Sequence, residues 1–163
     1  MGVGLGMGLP LCISNRVEAE IFAHCQKAWP KEACGILAGL KTAPEGEIGG
    51  FVQVYPMRNV EDSPVGYSLD PKEQLQVEKL MRQRGQWMRA IYHSHTATEA
   101  YPSPVDVRLA ISPDIAYVLV SLMDRSKPVL RPYRIDDDGN VTPWELWREI
   151  SSPGTRQARW SKV

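Results

Sequence analysis

Helical and strand-like segments alternate along these 163 residues, which predicts an α/β (α+β) domain with a mixed β-sheet. Three observations carry that prediction. Residues 16–29 place apolar side chains at helical spacing, short apolar runs at 34–39, 89–95 and 116–123 have strand length, and Gly or Pro punctuates the joins between them.

In chain order, residues 1–13 are glycine-rich and read as a frayed N-terminus leading into a first strand that holds Cys12. Asn15 is placed to cap a helix over 16–29, with Val17, Ile21, Cys25 and Ala28 on one stripe, Phe22 and Trp29 beside it, and Pro30 as its stop. Residues 31–39 read as a buried strand with a charged start. Residues 41–50 form a turn and 51–55 return as a strand. A loop through Asn59, Asp62, Ser63, Pro64 and Gly66 follows. Asp70-Pro71 then opens a helix to about Arg84, because an aspartate cap followed by proline is a favoured helix start. Strands are expected at 89–95, 116–123 and 129–135, a helix at 105–111 behind a stiff Pro102–Pro104 loop, a turn at 136–140, and a last strand or turn within 141–150. The domain is expected to span 12–150, with 1–11 as a flexible N-terminus and 151–163 as a tail.

Composition narrows the function. Nineteen basic residues balance nineteen acidic ones, so the net charge of zero gives no footing for nucleic acid or an anionic membrane. Arg148, Arg156, Arg159 and Lys162 read as a solvated tail. The first thirteen residues carry no Lys or Arg and are too short to span a bilayer. Three cysteines, Cys12, Cys25 and Cys34, lack CxxC spacing and are odd in number, which suits a reducing compartment, and a cytoplasmic location is expected. Cys25 falls on the helical stripe, Cys34 is expected to pack, His24 has no ligand-spaced partner, and Trp144 and Trp147 are expected to cover the edge of the core.

The chemistry concentrates between His93 and Asp106. Residues two apart on a strand face the same way, so His93 and His95 present two imidazoles side by side. Asp106, on the helix after the loop, can return a carboxylate to the same point. Two histidines, one carboxylate and an open fourth position fit a catalytic Zn2+ site better than a closed structural one. Zinc would lower the pKa of water to about 7 and polarise a carbonyl. Glu32 is the best-placed acid to move the proton, and Ser103, braced by Pro102 and Pro104, could donate to an oxyanion. Taken singly, each has a plainer reading: a buried pair of core histidines, a surface acid beside Lys31, a loop or capping serine, a first-turn carboxylate.

Glu32, then His93-x-His95, seven residues, Ser103, two residues and Asp106 resembles the signature of the JAMM (MPN-plus) metalloproteases. The resemblance implies Glu32 and Ser103 as catalytic residues, His93, His95 and Asp106 as zinc ligands, and a mixed, curved β-sheet flanked by helices, like cytidine deaminase in outline. The stretches 32–39, 92–103, 108–110 and 117–121 resemble the bacterial Mec-type peptidases, over roughly residues 12–136. That likeness implies hydrolysis of the amide bond after the C-terminal Gly-Gly of a small ubiquitin-like sulfur-carrier protein, releasing cysteine or a short extension. It leaves open a homodimer or an enzyme–carrier complex. The alternatives are a catalytically silent scaffold of the same fold and a general isopeptidase for ubiquitin-like conjugates. A Gly-Gly tail is expected to lie extended by strand addition, between walls formed by residues 58–70 and 96–101.

Overall fold

The computed structural model describes residues 9–40, 52–150 and 159–163. The expectations for residues 1–8, for the 41–50 turn and for 151–158 lie outside the described residues. In chain order the elements are β1 (Leu11–Ile13), α1 (Asn15–Ala28), β2 (Cys34–Gly39), β3 (Val52–Met57), α2 (Pro71–Gln83), β4 (Trp87–His95), α3 (Pro104–Leu109), β5 (Ala116–Ser121), β6 (Val129–Ile135), β7 (Val141–Pro143), β8 (Leu146–Ile150) and β9 (Arg159–Lys162).

Helix α1 buries the predicted stripe of Val17, Ile21 and Cys25, with Phe22 and Ala28 packed against the same core. Its cap is Ser14 rather than Asn15. Ser14 has extended backbone and its Oγ accepts the Val17 N–H at 3.1 Å, so Asn15 is the first helical residue. Asp70 caps α2 as expected, accepting from the N–H groups of Lys72 and Glu73, with Pro71 at the first position. Gly85, at φ +66°, lets the chain leave α2 in the left-handed region.

Six strands form the main sheet in the order β3-β2-β4-β5-β6-β7, antiparallel except for the β4–β5 pair. A smaller sheet, β1-β8-β9, joins the two ends of the chain: β1 lies parallel to β8, and β9 antiparallel to it. One sheet is expected from the sequence and two are present, and β9 falls within the tail expected at 151–163. Cys12 lies in β1 as expected, but the partner of that strand, β8, lies at the other end of the chain, which no local pattern reveals.

Alternation along β4 divides the molecule into layers. Ala90 and Tyr92 pack with α1 and the small sheet, through Leu11, Ile13, Ile21, Cys25 and Leu146. The other face of the main sheet packs Ile91, Leu119 and Tyr133 with Val107 of α3, and Ile36 and Ala38 with Val77 and Met81 of α2. Gly35 lets β4 approach: a Cβ there would run into the Tyr92 ring and lie 2.6 Å from the Tyr55 carbonyl oxygen. Residues 31–33, expected within a strand, precede β2. Their backbone is engaged elsewhere, as the site shows.

Candidate active site

The parallel β4–α3–β5 unit positions the site. Open sheets place ligands outside the carboxyl ends of strands where the direction of connection changes. His93 and His95 are the last residues on their face of β4, and Asp106 sits in the first turn of the crossover helix α3. Their side chains converge: the two imidazole Nε2 atoms are 3.1 Å apart, and the Asp106 carboxylate oxygens lie 3.2 Å from each. A tetrahedral ion with bonds of about 2.0–2.1 Å has ligand–ligand edges of about 3.3 Å, so the three groups fit one metal. These three residues form a candidate metal-holding group.

Each member is held. The Glu99 carbonyl lies 3.0 Å from His95 Nδ1 and can only accept, so that nitrogen carries a proton and Nε2 faces the cluster, donating to Asp106 when the ring is protonated and offering a lone pair to an ion when it is neutral. Ser103 caps α3 in a reciprocal box: its Oγ accepts from the Asp106 N–H, and its own N–H donates to Asp106 Oδ2 at 2.8 Å. His93 Nδ1 is buried without a hydrogen-bond partner among the described residues. Burial opposes charge on Asp106, but the hydrogen bonds from His93 and His95 prevail and hold its carboxyl well below the usual range. For His95, burial lowers the pKa, and the Asp106 bond and Glu99 carbonyl more than offset it, for a net rise. Fully buried His93 moves the other way: desolvation outweighs Asp106. Both directions follow from one carboxylate serving two imidazoles of unequal exposure.

Between the histidines, Ser94 points to the opposite face and clasps the chain before β2. The Ala33 N–H donates to Ser94 Oγ at 2.8 Å, and the Ser94 N–H to the Ala33 carbonyl at 3.0 Å. This clasp sets Glu32 beside the cluster. Glu32 is buried, and desolvation pushes its carboxyl up to about 7, with His95 opposing and Asp106 and Glu61 adding to the rise. Glu32, His95, Ser103 and Asp106 line one cleft of about 480 Å³. Its walls include Pro64, Gly66 and Ser68 on one side and Thr96, Ala97 and Thr98 on the other, and Thr96 Oγ1 donates to the Pro64 carbonyl across them.

All five predicted residues are thus brought to one place. Cys34 stands opposite His93 in the β2–β4 register, so both side chains share a face. It is fully buried, its thiol is pushed up to about 12 by desolvation, and its Sγ is 4.0 Å from the Met57 carbonyl oxygen. That is an inert thiol. His24 lies away from the cluster, its Nδ1 2.7 Å from the Tyr92 hydroxyl. Trp144 joins the main core, and Trp147 is half-buried with its Nε1–H on Glu145. Sequence reasoning missed Ser94, Asn59 and Tyr67. Ser94 could have been found from its place between two inward-facing histidines, whereas the other two are loop residues without a spacing signal.

A mixed sheet carrying a His-x-His strand end and a capped aspartate defines a class of domain with a candidate metal-holding group. The chain belongs to the family of prokaryotic homologs of the JAB domain, whose model matches residues 14–136. It is similar to the CysO-cysteine peptidase of Mycobacterium tuberculosis, 51% identical over 132 residues that span 81% of this chain and 86% of that protein. It is also similar to the probable TtuB-protein conjugate cleaving protease of Thermus thermophilus, 35% identical over 104 residues, 63% of this chain and 65% of that one. Among solved structures, a solution structure of a protein from Desulfitobacterium hafniense superposes with a TM-score of 0.75 at 37% identity, covering 88% of this chain and 95% of that one. Among the described residues no helix is long and apolar enough to cross a membrane.

Proposed function

We propose that this protein is a zinc-dependent peptidase that hydrolyses the amide bond after the C-terminal Gly-Gly of a small ubiquitin-like sulfur-carrier protein, in the cytoplasm. The observation that carries the reading is one cleft in which a buried carboxyl of about neutral pKa, Glu32, adjoins the His93, His95 and Asp106 group. His93 Nε2, His95 Nε2 and the Asp106 carboxylate would hold the ion. When bound, zinc supplies a Lewis acid that polarises a carbonyl and lowers the pKa of water to about 7. Glu32, whose carboxyl burial raises toward neutrality in the metal-free chain, takes a proton from the attacking water and returns it to the leaving amine. Ser103 Oγ spends a lone pair on the Asp106 N–H, which leaves its own proton free for the substrate oxygen as charge builds there.

The cleft suits a glycine tail. Gly66, Ser68 and Ala97 leave its walls short, so an extended segment without side chains can pass to the cluster. Val65, Val105, Leu109 and Ile111 are exposed at the same cleft, an apolar rim against which a folded carrier could rest. Likeness to a peptidase named for CysO-cysteine favours release of cysteine over trimming of a longer extension.

The test is mass spectrometry of a ubiquitin-like sulfur carrier ending in Gly-Gly-Cys, or in Gly-Gly with a longer extension, incubated with the protein with and without a zinc chelator. Chelator-sensitive loss of the mass beyond Gly-Gly is expected. Intact substrate with every carrier offered, in the presence of bound zinc, would point instead to a silent scaffold.

A further inference from the structure

The two histidines of the cluster are not held alike. A metal-binding imidazole ordinarily gives its second nitrogen to an outer partner, which fixes both tautomer and ring plane. His95 does so through the Glu99 carbonyl. His93 has no such bond among the described residues. Its ring is instead covered by Tyr67, with centroids 4.3 Å apart and planes 23° from parallel. Turning the imidazole out of that plane would drive its edge into the phenol ring.

Tyr67 is itself held by a loop built around one side chain. Asn59 Nδ2 donates to the carbonyls of Glu32 and Gly66, each at 3.0 Å, and its Oδ1 accepts from the N–H groups of Glu61 and Ser68, each at 3.1 Å. This satisfies all four hydrogen-bonding positions of the amide. The Glu32 N–H donates to the Ser63 carbonyl at 2.8 Å, so the loop also grips the backbone of the predicted proton carrier. The segment between β3 and α2 therefore does more than wall the cleft. It carries the ring that orients one ligand and the amide that anchors Glu32.

We propose that Tyr67 is a positioning residue for His93, its stacked ring fixing the plane of that imidazole as the Glu99 carbonyl fixes that of His95. The proposal rests on the reading of His93, His95 and Asp106 as metal ligands. It requires the ring and not the hydroxyl.

Zinc affinity by competition with a chromophoric chelator, and the visible spectrum of the Co2+-loaded protein, test it without reference to turnover. Tyr67→Phe is expected to match the wild type in both. Tyr67→Leu is expected to keep its far-UV circular dichroism, bind zinc about ten-fold more weakly and shift the Co2+ bands. Asn59→Ala, which loosens the loop without removing the ring, is expected to show a smaller loss in the same direction. Wild-type affinity and spectrum in a folded Tyr67→Leu protein would overturn the proposal, as would a Tyr67→Phe defect equal to that of Tyr67→Leu. A His95→Ala control separates the two readings: if the wild type binds zinc no better than that variant, the metal site itself is wrong.

Discussion

Glu32 is where this fold accepts a local cost. A carboxyl at about 7 in the folded chain and at its ordinary 4.5 when unfolded binds more protons in the native state over that interval. Well below pH 4.5 both states are protonated and folding carries no penalty. As pH rises the unfolded chain ionises first, and the penalty grows until it is complete above pH 7. Glu32→Gln removes it. The metal-free variant should therefore gain stability over the metal-free wild type, by almost nothing at about pH 3.5 and by about 1–2 kcal/mol at about pH 8 once solvent in the cleft is allowed for. It should keep zinc and lose nearly all turnover. Denaturant melts at the two pH values read the first outcome. A gain that does not change with pH would mean the carboxyl is not desolvated, and an active variant would remove Glu32 from the chemistry.

At the scale of elements, α3 shows one motif doing two tasks. The Ser103–Asp106 box starts a six-residue helix and aims the Asp106 carboxylate at the two imidazoles. Ser103→Ala should cost about 1 kcal/mol as a lost cap, and two to three powers of ten in kcat as a lost donor. Ser103→Thr, which keeps cap and hydroxyl, should stay close to wild type in both. Loss of stability with unchanged kcat would confine Ser103 to capping. This motif was legible in the sequence, because a helix start, a strand's two-residue period and a fixed loop length are local facts. So were α1, α2, β2 and β4–β6. Ser14 was passed over for Asn15 because both are good caps and only the register of Val17 decides between them. Tyr67 was not legible: its contact with His93 depends on how residues 59–68 fold around Asn59, and nothing in the spacing of an aromatic within a loop announces a stack 26 residues further on.

The whole molecule decides how far the fold depends on its metal. Small zinc domains unfold when stripped, because the ion supplies most of their folding energy. Here three apolar clusters under α1, α2 and α3 draw on β2, β4, β5, β6 and the small sheet, a core of a size that such metal-dependent domains lack. The ligands sit at one end of β4 and the first turn of α3, with His93 and His95 buried and Asp106 half-buried beside the cleft. Removing the ion should thus subtract only the free energy of binding, which at a hundred-fold excess over Kd is about 2.7 kcal/mol. For a chain of this size that corresponds to about 5–10 °C in Tm. Thermal melts with zinc and with chelator should show this drop, with far-UV spectra before the transition that superimpose. Loss of secondary structure on chelation at 25 °C would make the metal a folding cofactor and the three-cluster core insufficient. An unchanged Tm would mean that the native state binds zinc no better than the unfolded chain does, and His93, His95 and Asp106 would then be a polar network rather than a metal site.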